Sequence, residues 1–174
     1  AVITIFYKEE LNLNYSSVAF YQNGFNILAI LLLPVFGKIL SKTDPRKFVV
    51  GTYISLALYI FFIGFTQYFP VYVNVWEIKL YFFLLLAIIF KGIFVSTMSL
   101  SWGIGSSYFC SEGEAGSYQS VHLTLNGIRA IFSPLLGIMF YELISFSGTF
   151  AIAIFALTVS IVLMLWSYRS RKLR

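Results

Sequence analysis

The sequence predicts an all-α, multi-pass membrane protein, and three observations carry that prediction. First, 59% of the 174 residues are apolar and only 11% are charged, with a mean hydropathy of +0.85. Soluble domains carry about 25% charge and about 45–50% apolar residues. Second, five stretches reach the roughly 20 apolar residues that a helix needs to cross the hydrocarbon core; they span 16–37, 48–69, 80–104, 118–141 and 148–166. Third, the breaks between them are short, polar and rich in helix punctuation. Barrel strands would be about 9–11 residues long with alternating polarity, and these runs are too long and too uniformly apolar. A soluble enzyme, a disordered tail and a disulfide scaffold are excluded; the single Cys110 makes no internal bridge.

In chain order, residues 1–7 (AVITIFY) are apolar but too few to span, and read as the end of a helix that begins upstream. No signal peptide is visible. Residues 8–15 form a short external loop, 16–166 hold the five spans, and 167–174 form a basic tail. Between the first two spans lies a polar, basic loop in which Asp44-Pro45 is a helix start, Asp as cap and Pro at the first helical position. Pro70 closes the second span. Ser111-Glu112-Gly113-Glu114 closes the third, with Glu114 favouring the next helix N-terminus through its dipole. Gly103, Gly105 and Gly113 read as helix-end and packing glycines, and Pro134 as a kink. Residues 145–147 join the last two spans.

Cytoplasmic loops collect Lys and Arg. With the first inter-span loop inside, the inside segments hold Lys38, Lys42, Arg46, Lys47, Arg169, Arg171, Lys172 and Arg174, against Lys8 and Lys79 outside. That bias places the C-terminus in the cytoplasm of a cell (plasma or inner) membrane. It also accounts for the net charge of +5, so nucleic acid is not an expected partner.

The other two cations, Lys91 and Arg129, fall inside spans. A charge at the centre of a helix costs about 2.5–3.5 kcal/mol on insertion scales, so it faces protein or a water-filled cavity. Tyr118, His122, Asn126, Arg129 and Ser133 follow 4, 4, 3, 4 spacing and so share one helix face. Gln22, Asn23 and Asn26 add amides to the first span, as interhelical hydrogen bonds or as part of a site. The second and fifth spans hold no charge and read as peripheral and lipid-facing. Such grading implies a central aqueous path lined by the first, third and fourth spans. There is no nucleophile–base pair, phosphate loop or metal-ligand spacing, so neither an enzyme nor a metal or cofactor is expected. His122, the only histidine, reads as a hydrogen-bonding partner.

The stretch KEELNLNYSSVAFYQNGFNILAILLLPVFGKILSKTDPRKF resembles the extracellular loop, helix and cytoplasmic loop that recur in transporters of the major facilitator superfamily. Gly37, Lys42, Arg46 and Lys47 match that family's loop signature, with Ser41 where an aspartate belongs and Asp44 where the second glycine belongs. SYQSVHLTLNGIRAIFSPLLG resembles helix eleven of many such transporters. The resemblance implies the end of helix seven followed by helices eight to twelve, most of one six-helix half-bundle. It further implies a substrate site at the midplane between two halves. The expected function is therefore alternating-access secondary transport of a small solute, with or without a coupling ion, by a chain that needs an N-terminal or partner half. Arg129 and Lys91 favour an anionic substrate group or else neutralise carboxylates of the facing half. Asn126, His122, Tyr118, Gln22 and Asn26 would hydrogen-bond the remainder. The alternative is a non-transporting assembly subunit or inactive transporter fragment, with both cations paired to carboxylates on a partner helix.

Overall fold

In the computed structural model the described residues are 2–76, 78–104 and 113–170, Ile104 by its backbone alone. Cys110, Glu112, Gly105, Arg171, Lys172 and Arg174 lie outside them. The order is α1 (Val2–Glu9), α2 (Tyr15–Leu40), α3 (Pro45–Tyr68), β1 (Tyr72–Val75), β2 (Ile78–Tyr81), α4 (Phe82–Ile104) and α5 (Ala115–Ser170). Helices α2 to α5 are each long and apolar enough to cross a membrane, and the chain is an all-α membrane protein apart from one small hairpin.

α5 is 56 residues long, roughly 84 Å at 1.5 Å per residue, far more than a bilayer core of about 30 Å. It is two spans. Ile144 (φ −133°, ψ 15°) and Ser145 (φ 62°, ψ −179°) leave helical geometry and divide it, and the two arms run in opposite directions. The first arm starts beside the end of α4, where the Gln119 amide donates to the Trp102 carbonyl at 3.2 Å. It ends beside α1, where the Tyr141 hydroxyl donates to Glu9 Oε2 at 2.6 Å. The second arm begins beside the end of α3, where the Tyr68 and Ser147 hydroxyls are 3.1 Å apart. It finishes beside the start of α3, where Arg46 Nη1 donates to the Ser167 carbonyl at 2.8 Å. Pro134 sits within the first arm without non-helical dihedrals; the break falls later, at Ile144 and Ser145.

Local chemistry sets the helix starts. Asn14 caps α2 by accepting from Ser17 N at 2.9 Å. Asp44 caps α3 by accepting from Arg46 N at 2.8 Å, with Pro45 in the first turn, so that α3 begins where the Asp-Pro signal puts it.

The hairpin is absent from the sequence reading, which treats 70–79 as a loop and starts the third span at Leu80. Tyr72, Val73 and Val75 are β-branched or aromatic, which favours an extended pleat over helix. They pair antiparallel with Ile78–Tyr81, Tyr72 opposite Tyr81, and α4 begins only at Phe82.

The hairpin end holds the dense core. Phe6 is fully buried and meets Phe146 and Phe150 edge-on, with centroids 5.3 and 5.4 Å apart. Backbone polar groups there are closed off by side chains. The Tyr21 hydroxyl donates to the Lys79 carbonyl at 2.9 Å and accepts from Tyr81 N at 2.7 Å, and Ser17 Oγ accepts from Lys79 N at 3.0 Å.

Two helices expected at the periphery differ from one another. The second arm of α5 is largely exposed, as a lipid-facing span should be. α3 instead packs between α4 and that arm, and Thr52 and Thr66 are fully buried. Their hydroxyls donate to carbonyls one turn back, Phe48 and Phe62, so they enter an apolar interface with no external partner. An uncharged helix with back-bonded hydroxyls can sit inside as well as outside.

Candidate functional site

The opposite end of the molecule, where α3 starts and α5 finishes, is open and basic. Arg46 is almost wholly buried there. Its Nε and Nη2 each lie 3.4 Å from an Asp44 carboxylate oxygen, its Nη1 holds the Ser167 carbonyl, and its guanidinium lies 5.7 Å from the Tyr168 ring centroid. Lys47 Nζ lies 4.4 Å from the same ring. The loop between α2 and α3 thus ties the start of α3 to the end of α5. Asp44, standing at the signature's second glycine, supplies the carboxylate for this pairing. Gly37 meets no neighbour that a Cβ would touch, and Lys38 and Lys42 are exposed.

Between α3, α4 and both arms of α5 this end holds a cavity of about 410 Å³, lined among others by Arg46, Thr52, Tyr53, Met98, Ser101, Trp102, His122, Asn126, Arg129 and Met164. Its size is that of a small-molecule site. Three residues of the polar face on the first arm therefore share one wall. Asn126 Nδ2 and His122 Nε2 are 2.9 Å apart. An amide N–H only donates, so in this orientation Nε2 accepts and the ring proton stands on Nδ1. Arg129 lies with its guanidinium 5.2 Å from the Trp102 ring centroid, within reach of a cation–π interaction, and the same indole meets His122 edge-on at 6.2 Å. The neutral hydroxyls offer little. Ser101 donates to Thr97 O at 2.9 Å and Thr52 to Phe48 O. What remains to meet a ligand is the Arg129 guanidinium, the His122–Asn126 pair, the Tyr53 phenol and an apolar wall.

The other expected site residues lie elsewhere. Lys91 sits half-buried between α2 and α3, its Nζ 3.9 Å from the Phe25 ring centroid and 5.2 Å from that of Tyr59. Gln22 Nε2 donates to Thr4 Oγ1 at 2.9 Å and joins α2 to α1, the interhelical role expected of an amide in lipid. Asn26, Tyr118 and Ser133 are exposed on their helices. Among the described residues, no group of three His, Cys, Asp or Glu side chains comes together.

Trp102 was not singled out by sequence reasoning, nor was the entry of Arg46 into the same cavity as Arg129. A signal existed for the first: Lys91, Met98 and Trp102 are spaced 7 and 4 apart, one face of α4. None existed for Arg46, whose approach to α5 depends on how the arms fold back.

Compared with known proteins, residues 1–174 match the family model described as Major Facilitator Superfamily. No curated protein matches, and no solved structure does.

Proposed function

The chain belongs to the major facilitator superfamily of transporters, and from that premise we propose that it is the C-terminal half of a secondary transporter for a small anionic solute. It is an integral membrane protein; in this reading it resides in the plasma or inner membrane with its basic end and C-terminus in the cytoplasm. Helices α2 to α5 supply helices eight to twelve, α1 the end of helix seven, and a second half-bundle completes the path. Substrate moves by alternating access, with or without a coupling ion.

The observation that carries the anionic class is Arg129. It lies midway along the first arm, about 21 Å of helix from either end. It stacks on Trp102, and among the described residues no carboxylate forms an ion pair with it. Exposed on its helix and facing the Trp102 ring, this cation is a standing attraction for a carboxylate or phosphate. His122 and Asn126 orient the remainder of the solute. Lys91, Gln22, Asn26 and Tyr118 stand outside the cavity and in this reading meet substrate or the facing half at other stages of the cycle.

The test is uptake into proteoliposomes of a panel of small carboxylates and phosphates, with amines and neutral sugars as the opposing panel. Uptake of anions is expected, abolished by Arg129→Ala at unchanged protein level in the membrane and partly kept by Arg129→Lys. Undiminished anion uptake by Arg129→Ala removes the reading.

A further inference from the structure

The cavity at Arg129 does not end there. A second cavity of about 620 Å³ adjoins it, sharing Tyr53, Met98, Trp102 and Arg129 and continuing along α3, α4 and the second arm past Leu56, Phe94 and Leu157. The two differ in chemistry. The first carries Arg46, His122 and Asn126. In the second, Ser99 and Ser160 donate to the carbonyls of Val95 and Ala156 at 2.8 and 2.9 Å, so their hydroxyl protons are spent on their own helices. Arg129 stands where the two cavities meet, and beyond it the second adds the apolar side chains of Leu56, Phe94, Val95 and Leu157.

We infer that this groove takes an amphipathic anion, with a carboxylate or phosphate at Arg129 and an apolar tail lying along Met98, Phe94 and Leu157. The inference rests on the anion-site reading above and narrows its substrate class. A small, fully polar anion fills only the first cavity and leaves the second without a partner. Met98, shared by the two cavities, is an adaptable side chain that suits tails of differing shape.

The test uses Trp102 as its own reporter. Trp76 and Trp166 are the other tryptophans and both are exposed, so a Trp76→Phe, Trp166→Phe background isolates it. The purified protein in phosphatidylcholine nanodiscs is titrated with the straight-chain carboxylates from butanoate to octanoate. Affinity is expected to rise about fourfold per added methylene. Arg129→Gln weakens every member about tenfold or more, and Arg129→Lys restores part of it. Leu157→Phe, which narrows the second cavity, flattens the dependence on chain length across the series. Binding that depends on Arg129 but not on chain length overturns this inference and leaves the anion site standing. Binding indifferent to Arg129 overturns the anion site itself. Repeating the titration with phosphatidylglycerol in the disc separates two sources of the same chemistry. Unchanged octanoate affinity assigns the groove to a free amphipathic anion; competitive loss assigns it to an anionic lipid headgroup with its chains in the second cavity.

Discussion

The two ends of this molecule solve the same problem in opposite ways. At the hairpin end, α1, the hairpin and the start of α4 are closed around Phe6, Tyr21, Leu84 and Phe146, and side-chain hydroxyls satisfy backbone groups directly. At the basic end a cavity of about 410 Å³ opens between the helices, with Arg46 tied to Asp44 and the Ser167 carbonyl and Arg129 set against Trp102. In lipid no hydrophobic force draws helices together; packing and hydrogen bonds do so. Aromatic interdigitation therefore closes one end, while at the other a guanidinium and an imidazole–amide pair hold space open for something else. In the proposed reading the first is a packed end and the second a binding mouth.

The comparison breaks most visibly at Phe6. Its ring is fully buried between Phe146 and Phe150, so Phe6→Ala leaves a cavity and should cost about 3 kcal/mol. Met164→Ala, a truncation on the partly exposed wall of the groove, should cost well under 1 kcal/mol, because no closed packing is lost. Thermal unfolding of both variants in detergent checks this. Equal losses would mean that the basic end is as tightly held as the other.

A smaller effect sharpens the boundary between the two regions. At Gly92 α4 packs closely on α2: a Cβ there would stand 2.8 Å from Leu28 Cβ and 3.3 Å from the Phe25 carbonyl oxygen. Neither neighbour is the far end of a flexible side chain, so Gly92→Val must push the helices apart, at a cost of about 1–3 kcal/mol. It should also displace the adjoining Lys91 from the Phe25 ring, while leaving anion binding at Arg129 intact. A melting curve paired with the carboxylate titration reads both, and loss of anion binding would show that the two regions move as one.

How much of this was legible follows from what each signal encodes. The starts of α2 and α3 lie within three residues of the expected spans because apolar length and the Asp44-Pro45 cap are local properties. The turn between the last two spans was legible for the same reason, as Ser145 falls within the polar step between them. The hairpin was not, because four-residue strands leave no period to count between two long apolar runs. At the site, the 4, 4, 3 spacing from Tyr118 to Arg129 put His122, Asn126 and Arg129 on one face, and the structure keeps those three together. Periodicity says which residues share a face but not what stands opposite, so Trp102 and Arg46, brought in from other helices, could only come from the fold. The same limit hid the position of Lys91, whose neighbours Phe25 and Tyr59 come from two further helices.

The smallest expected effect lies at the reversal that makes the groove possible. Ser145 has φ 62° and ψ −179°, a region that is sterically costly for any residue with a Cβ and open to glycine. Its carbonyl accepts from Thr149 Oγ1 at 2.8 Å, and it leads directly into the buried Phe146. The surrounding aromatic core thus holds the reversal in place against its local preference. Ser145→Gly should relieve that strain and stabilise the protein by about 1 kcal/mol, read as a small rise in melting temperature, because the added backbone freedom of the unfolded state offsets only part of the gain. Ser145→Val should move it the other way by a similar amount, since branching at Cβ aggravates the same clash. A β-branched residue accepted there without loss would show that the arms reverse by another route, and that the groove owes its shape to something other than this turn.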